Sequence, residues 1–218
     1  MGLKRRPCGN WKLYAITCPE RARGRDPVAL AEAAILGGAD VLQLRDKKVS
    51  DKIFLKTARR LRALTKSLGV PLIINDRLRL AAKCGADGVH LGQKDGSLAE
   101  ARKILGPDAI VGRSTHTPEQ ALAAEREGFD YIGVGPVYAT PTKPGRKPAG
   151  LRLVRFAAKN LQIPFVAIGG IDERNLGEVT DAGARCVAVV RALMGSEDPA
   201  SAAKMFVKHI KKESRRGQ

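Results

Sequence analysis

The chain has 218 residues, 44% hydrophobic and 28% charged, and its 39 lysines and arginines against 22 aspartates and glutamates give a net charge of +17. That length suits one α/β barrel or two small domains and can bury a core, while no apolar run approaches the roughly 20 residues of a membrane span. Four scattered cysteines (Cys8, Cys18, Cys84, Cys186) without a CxxC pair argue against a zinc or disulfide framework and for a reducing cytoplasm.

Short β-branched runs alternate with helical patterns along the chain. A strand is predicted over 13–17 and a helix over 28–36. The second strand, 41–44, runs into Gln43-Leu44-Arg45-Asp46-Lys47, where alternation puts Gln43, Arg45 and Lys47 on one side. A helix over 52–68 precedes the strand 71–74, which ends at Asn75-Asp76. After a helix over 78–84, the strand 88–91 meets Gly92-Gln93-Lys94-Asp95. A helix over 98–105 leads to the strand 110–113 and Ser114-Thr115-His116, and a helix over 119–127 to the strand 131–134. Gly135-Pro136 breaks that strand and projects a loop carrying Thr140, Thr142 and Lys143, whose donors suit a polyanionic oxygen cluster. It is no P-loop, because no glycine-rich turn leads into a helix carrying Lys-Ser or Lys-Thr. A helix over 151–159, a strand over 165–168 ending in Gly169-Gly170-Ile171, a helix over 176–181 and a strand over 187–190 followed by Arg191 come next, and a helix over 200–212 closes the chain.

Eight strands, each followed by a helix, with no linker between them, predict a single (β/α)8 TIM barrel over residues 1–218 with short basic N- and C-terminal extensions. An open doubly wound sheet fits less well, for want of a GxGxxG turn. Gly38-Ala39-Asp40, Gly85-Ala86-Asp87, Gly128-Phe129-Asp130 and Gly183-Ala184-Arg185 each precede a strand. They read as left-handed helix caps at the bottom of the barrel. The N-terminal stretch 1–11 is basic but lacks the apolar segment of a secretory leader. The charge excess gathers in terminal clusters and on helix faces such as Arg59, Arg60 and Arg62. Aromatic residues are 4% and no basic stripe alternates with them, so nucleic acid is not the expected partner. A basic field would still recruit phosphorylated substrates.

In a barrel, chemistry belongs where strands end and loops begin. Asp76 and Asp95 there could be plain helix caps. Beside cationic and amide groups, two threonines and a lysine, they suggest instead a diphosphate held by protein and Mg²⁺, which takes a few carboxylates plus phosphate oxygens and water. The Gly169-Gly170 turn sits where barrels bind a monophosphate through backbone N–H groups, so the mouth would take two substrates.

Taken together and in this order, these motifs resemble the thiamine phosphate synthase family, from Tyr14 to about Phe206. The resemblance implies a transferase that joins hydroxymethylpyrimidine diphosphate to thiazole phosphate, or its carboxylated form, by a dissociative route that releases pyrophosphate. It implies that Gln43, Arg45, Lys47 and Asn75 contact the pyrimidine diphosphate and that Asp76 and Asp95 hold Mg²⁺. Ser114 and Lys143 would bind the leaving pyrophosphate, and Thr140, Thr142 and Gly170 the thiazole phosphate. One departure is Arg191, where the family carries Ser; its planar fork is expected to grip the thiazole phosphate, the alternative being a rim arginine paired with Glu173. Gly112-Arg113-Ser114-Thr115-His116 also overlaps with the sister thiazole tautomerases, which are the runner-up. A basic nucleic-acid-binding barrel is the weakest alternative. A homo-oligomer is left open.

Overall fold

In the computed structural model, residues 8–18, 22, 24–140, 145 and 147–216 are described, the side chains of the last helix only as far as Glu213. Eight parallel strands close into a barrel in sequence order: β1 (Leu13–Thr17), β2 (Val41–Leu44), β3 (Leu72–Asn75), β4 (Gly88–Leu91), β5 (Ile110–Thr115), β6 (Tyr131–Val134), β7 (Phe165–Ile168) and β8 (Val187–Val189). The ring is completed by β8 pairing with β1, Leu13 opposite Val187. Around it lie α1 (Pro27–Leu36), α2 (Asp51–Ser67), α3 (Leu78–Cys84), α4 (Leu98–Leu105), α5 (Pro118–Glu127), α6 (Gly150–Asn160), α7 (Leu176–Asp181), α8 (Arg191–Met194) and α9 (Pro199–Arg216). The expected (β/α)8 barrel is the fold observed. Strand β5 runs two residues beyond its expected end, which brings Ser114 and Thr115 into the sheet. The last strand stops at Val189, and Arg191 opens the short helix α8, an element the sequence reading lacked.

Apolar side chains on alternate strand positions divide into two cores. The outward-facing set, among it Leu42, Leu44, Leu72, Ile74, Val111 and Ile132, packs under the helices together with Phe54, Leu61, Val154 and Phe206. The inward set holds Trp11, Tyr14, Ile16, Val41, Ile73, Ile110, Tyr131 and Val166, which fill the barrel from below. Helix α2 shows how one element is fixed. Phe54, Ala58, Leu61 and Thr65 recur at helical spacing on its buried face, with charged residues opposite.

At the bottom of the barrel the Gly-x-Asp phrases do more than cap helices. Gly85 and Gly128 end α3 and α5 in the left-handed conformation. The aspartate that follows then accepts a backbone N–H from the start of the preceding strand. Asp40 takes Leu13 (3.1 Å), Asp87 takes Leu72 (2.8 Å) and Asp130 takes Val111 (2.7 Å). The carboxylates therefore tie β1 to β2, β3 to β4 and β5 to β6. Arg62 and Arg102 neutralise Asp87 and Asp130 at 2.6 and 2.9 Å.

Candidate active site

The C-terminal strand ends surround one cavity of about 920 Å³, its open mouth included. Its lining includes Gln43, Arg45, Asn75, Ser114, Thr140, Gly170 and Arg191, so seven of the expected residues meet in one place. Thr142 and Lys143 lie outside the described residues. Gln43, Asn75 and Ser114 are buried although polar, at 3%, 8% and 7% exposure. Buried polar groups are retained where they have partners or work to do.

Lys47, Asp76 and Asp95 do not line the cavity but stand beside it, Asp76 directly after the lining residue Asn75. Asp46, just before Lys47, folds back to accept the N–H groups of Lys48 and Val49, a turn that fixes the chain leaving β2. Lys47 Nζ then reaches Asp76 Oδ2 at 2.8 Å. Asp76 has φ of 60°, the one positive value on a non-glycine residue among those described. A left-handed aspartate at a strand end is a local cost of the kind found at functional sites. Neither aspartate is a helix cap. Helix α3 begins at Leu78 behind Arg77, and α4 is capped by Ser97, whose hydroxyl accepts from Glu100 N–H. Asp95 Oδ2 instead accepts the Gly92 N–H (3.0 Å). A side chain at Gly92 would collide with that oxygen and lie 3.9 Å from Asp76 Oδ1, so Gly92 leaves room where both carboxylates converge.

The two carboxyls respond in opposite directions. Burial and the charge of Asp76 push Asp95 up. Burial also acts to raise Asp76, but Lys47, with lesser help from Asp95 and Asn75, holds it below the usual carboxylate range. A pair of facing carboxylates gains from a cation between them. Among the described residues no three histidines, cysteines or acidic groups gather elsewhere as a metal cage. Two carboxylates at an open mouth, short of a full shell, suit a hard cation that shares phosphate oxygens and water.

Four ring-bearing residues to which the sequence assigns no site role, Tyr14, Tyr131, His90 and Trp11, complete the interior. Gln43 Nε2 donates to Tyr14 Oη at 2.6 Å, and the Tyr14 and Tyr131 hydroxyls are 2.8 Å apart. His90 joins them, with Nδ1 3.0 Å from Tyr131 Oη and Nε2 2.9 Å from Ser114 Oγ. Trp11 lies edge-on to both tyrosine rings, at 5.9 and 5.3 Å between centroids. The available signal was glycine inside strands. Gly112 faces the Tyr131 ring, and a methyl on Gly133 would come to 3.3 Å from His90. Burial foremost pushes both tyrosine hydroxyls above their ordinary range, so they stay protonated. His116, also unassigned from sequence, lines the mouth and bonds through Nδ1 to the Gly135 carbonyl.

On the opposite side, Gly169 and Gly170 turn with φ of 107° and 68°. Side chains there would strike Pro136 and the Ala139 carbonyl, so only glycine lets this turn pack on the β6 loop. Asn175 Nδ2 holds the turn through the Gly170 carbonyl (2.9 Å). Arg191 is exposed beside it. Among the described residues it pairs with neither Glu173 nor Asp172, whose low carboxyl owes most to Arg174 and less to the field of Arg191. The pairing with Glu173 is not found.

The family model described as thiamine monophosphate synthase matches residues 13–193. The chain belongs to the thiamine monophosphate synthase family. A thiamine-phosphate synthase of Thermus thermophilus is 53% identical over 195 residues, covering 88% of this chain and 94% of that protein. A Synechocystis thiamine-phosphate synthase is 50% identical over 190 residues, covering 87% of this chain but 54% of its own length. The chain thus spans about half the length of the cyanobacterial members it matches. Among solved structures, a thiamine phosphate pyrophosphorylase from Pyrococcus furiosus superposes with a TM-score of 0.85 at 33% identity, covering 94% of this chain and 98% of the other. The thiamine monophosphate synthase match takes in β1 through β8 and ends inside α8, so it includes every strand end that builds the cavity.

Proposed function

We propose that this protein is a thiamine phosphate synthase, joining 4-amino-2-methyl-5-hydroxymethylpyrimidine diphosphate to 4-methyl-5-hydroxyethylthiazole phosphate, or its carboxylated form. The observation that carries this reading is the convergence of Asp76, Asp95 and Lys47 next to the Arg45 and Asn75 side of a cavity whose other side is the Gly169-Gly170 turn with Arg191. One side suits a diphosphate and the other a monophosphate, and the buried polar floor between them suits a planar amino heterocycle.

The chemistry follows from that division. The methylene C–O bond of the pyrimidine breaks, and pyrophosphate departs with the electron pair. The thiazole nitrogen then attacks the methylene carbon and forms the C–N bond. No proton needs to be removed from the nucleophile, so no general base is required, and positioning with charge stabilisation supplies the rate. Gln43 and Asn75 orient the pyrimidine ring, while Arg45 and Lys47 hold the diphosphate. Ser114 and Lys143 bind the departing pyrophosphate. Thr140, Thr142, Arg191 and the Gly170 backbone hold the thiazole phosphate. Asp76 and Asp95 would hold Mg²⁺, which when bound offsets charge on the leaving diphosphate. Ile16, Val166, Ile168 and Val190 give the cavity an apolar wall for the methylene.

The four cysteines form no disulfide, and no helix among the described residues is long and apolar enough to cross a membrane. We place the reaction in the cytoplasm. Titration calorimetry with the pyrimidine diphosphate, with and without Mg²⁺, tests the diphosphate side. Binding should require Mg²⁺ and weaken at least ten-fold in Asp95→Asn, a loss of about 1.4 kcal/mol. Equal binding by both proteins would refute the assignment.

A further inference from the structure

Five side chains from five strands form one connected path through the barrel interior: Gln43, Tyr14, Tyr131, His90 and Ser114. The path has a direction that proton counting determines. Gln43 meets Tyr14 through its NH₂ group, which can only donate. Tyr14 Oη therefore accepts, and its single proton must go elsewhere. Its other hydrogen-bond neighbour is Tyr131 Oη. If Tyr131 donated to Tyr14 instead, the Tyr14 proton would be left over at a site only 2% exposed, which is costly. So Tyr14 donates to Tyr131. Tyr131, having accepted, sends its own proton to His90 Nδ1. That nitrogen then carries no hydrogen, and the neutral ring carries it on Nε2, facing Ser114 Oγ at 2.9 Å. Ser114 accepts from the imidazole, and its hydroxyl hydrogen is released toward the cavity.

We infer that this path is a one-way hydrogen-bond relay that fixes His90 as the Nε2–H tautomer and sets the polarity of the two groups at its ends. Gln43 turns its carbonyl oxygen, an acceptor, to the pocket, and Ser114 turns its O–H, a donor, to the same pocket. On the proposed function, the acceptor meets the amino group of the pyrimidine and the donor meets an oxygen of the departing diphosphate. Tyr131 and Tyr14 are positioning residues, acting through His90 and Gln43. The structure is shaped around the relay. Gly112 and Gly133 omit side chains where the Tyr131 and His90 rings lie, and Trp11 closes the barrel beneath both tyrosines. Bonds in such a chain polarise one another, so its two ends are coupled.

The test is ¹⁵N NMR of the histidine-labelled full chain, with His90 identified by its loss in His90→Asn. The wild-type ring should show an unprotonated Nδ1 and a protonated Nε2 without any substrate present. A protonated Nδ1, or an even mixture of tautomers, overturns the relay, and this result needs no variant that might misfold. Tyr131→Phe removes the donor to Nδ1 and should raise the minor tautomer by about ten-fold. The same change should weaken pyrimidine diphosphate binding several-fold while leaving thiazole phosphate binding unchanged. A tautomer unmoved in Tyr131→Phe also overturns it. Because the wild-type spectrum is read without turnover, a correct tautomer in a protein that makes no thiamine phosphate refutes the proposed function alone. The wrong tautomer in an active enzyme refutes the relay alone.

Discussion

Replacing Gly112 by alanine tests whether the interior is packed as described. A methyl there would stand 2.6 Å from Tyr131 Oη and closer still to two ring carbons. The ring cannot swing aside cheaply. Its hydroxyl is held by Tyr14 at 2.8 Å and His90 at 3.0 Å, and Trp11 braces its edge. Overpacking a core costs about 1–3 kcal/mol, and a tyrosine hydroxyl pulled from its buried partners adds about 1 kcal/mol or more. The sum, about 2–4 kcal/mol, lowers the melting temperature by roughly 5–15 °C for a chain of this size. Gly177→Ala is the control. It lies inside α7, and its new methyl would meet only His209, at 3.9 Å. It should stabilise by about 0.5–1 kcal/mol. Both are read by thermal and urea denaturation followed by circular dichroism. In a Tyr131→Ala background the Gly112 methyl has room, so its cost should largely vanish. A Gly112→Ala midpoint equal to wild type would refute the packing of Tyr131 against β5.

Asp130→Ala should destabilise the barrel by about 2–4 kcal/mol, because it strands the Val111 N–H and the Arg102 guanidinium, yet leave turnover near wild type at permissive temperature. Paired denaturation and rate measurements check this. Arg191→Ser should raise the thiazole phosphate KM by roughly ten-fold and leave the diphosphate KM in place, as steady-state kinetics will report; an unchanged value makes Arg191 a bystander. Tyr138 donates to Glu178 at 2.9 Å, and burial together with that carboxylate pushes its hydroxyl up to about 12. Since the folded value lies above the unfolded one near 10, this contribution is complete below about pH 10 and fades as pH rises to about 12. The stability difference between wild type and Tyr138→Phe should shrink across that window.

The barrel was legible because each strand is a short apolar run bounded by turn residues and each helix shows its own period. Errors fell at ends. Val190 reads as strand by composition, but the chain turns there into α8 and carries Arg191 to the mouth. The charged rim was legible because carboxylates and lysines at strand ends have few structural uses. Asp76 and Asp95 remained ambiguous with helix caps until Ser97 and the Asp76 backbone angle excluded that role. The relay was hidden for a physical reason. Tyr14 and Tyr131 look like ordinary core residues, and His90 sits between Val89 and Leu91 in an apolar strand. Only closure of the barrel, which turns β1, β2, β4, β5 and β6 toward one interior, brings their polar atoms together.

The most direct test of the proposed activity is product analysis after mixing the purified protein with both substrates and Mg²⁺. Thiamine phosphate and pyrophosphate should accumulate in a one-to-one ratio, and neither should form when the thiazole phosphate is omitted or Asp95 is replaced by Asn. Pyrophosphate released without thiamine phosphate, or an altered thiazole phosphate without coupling, would contradict the account.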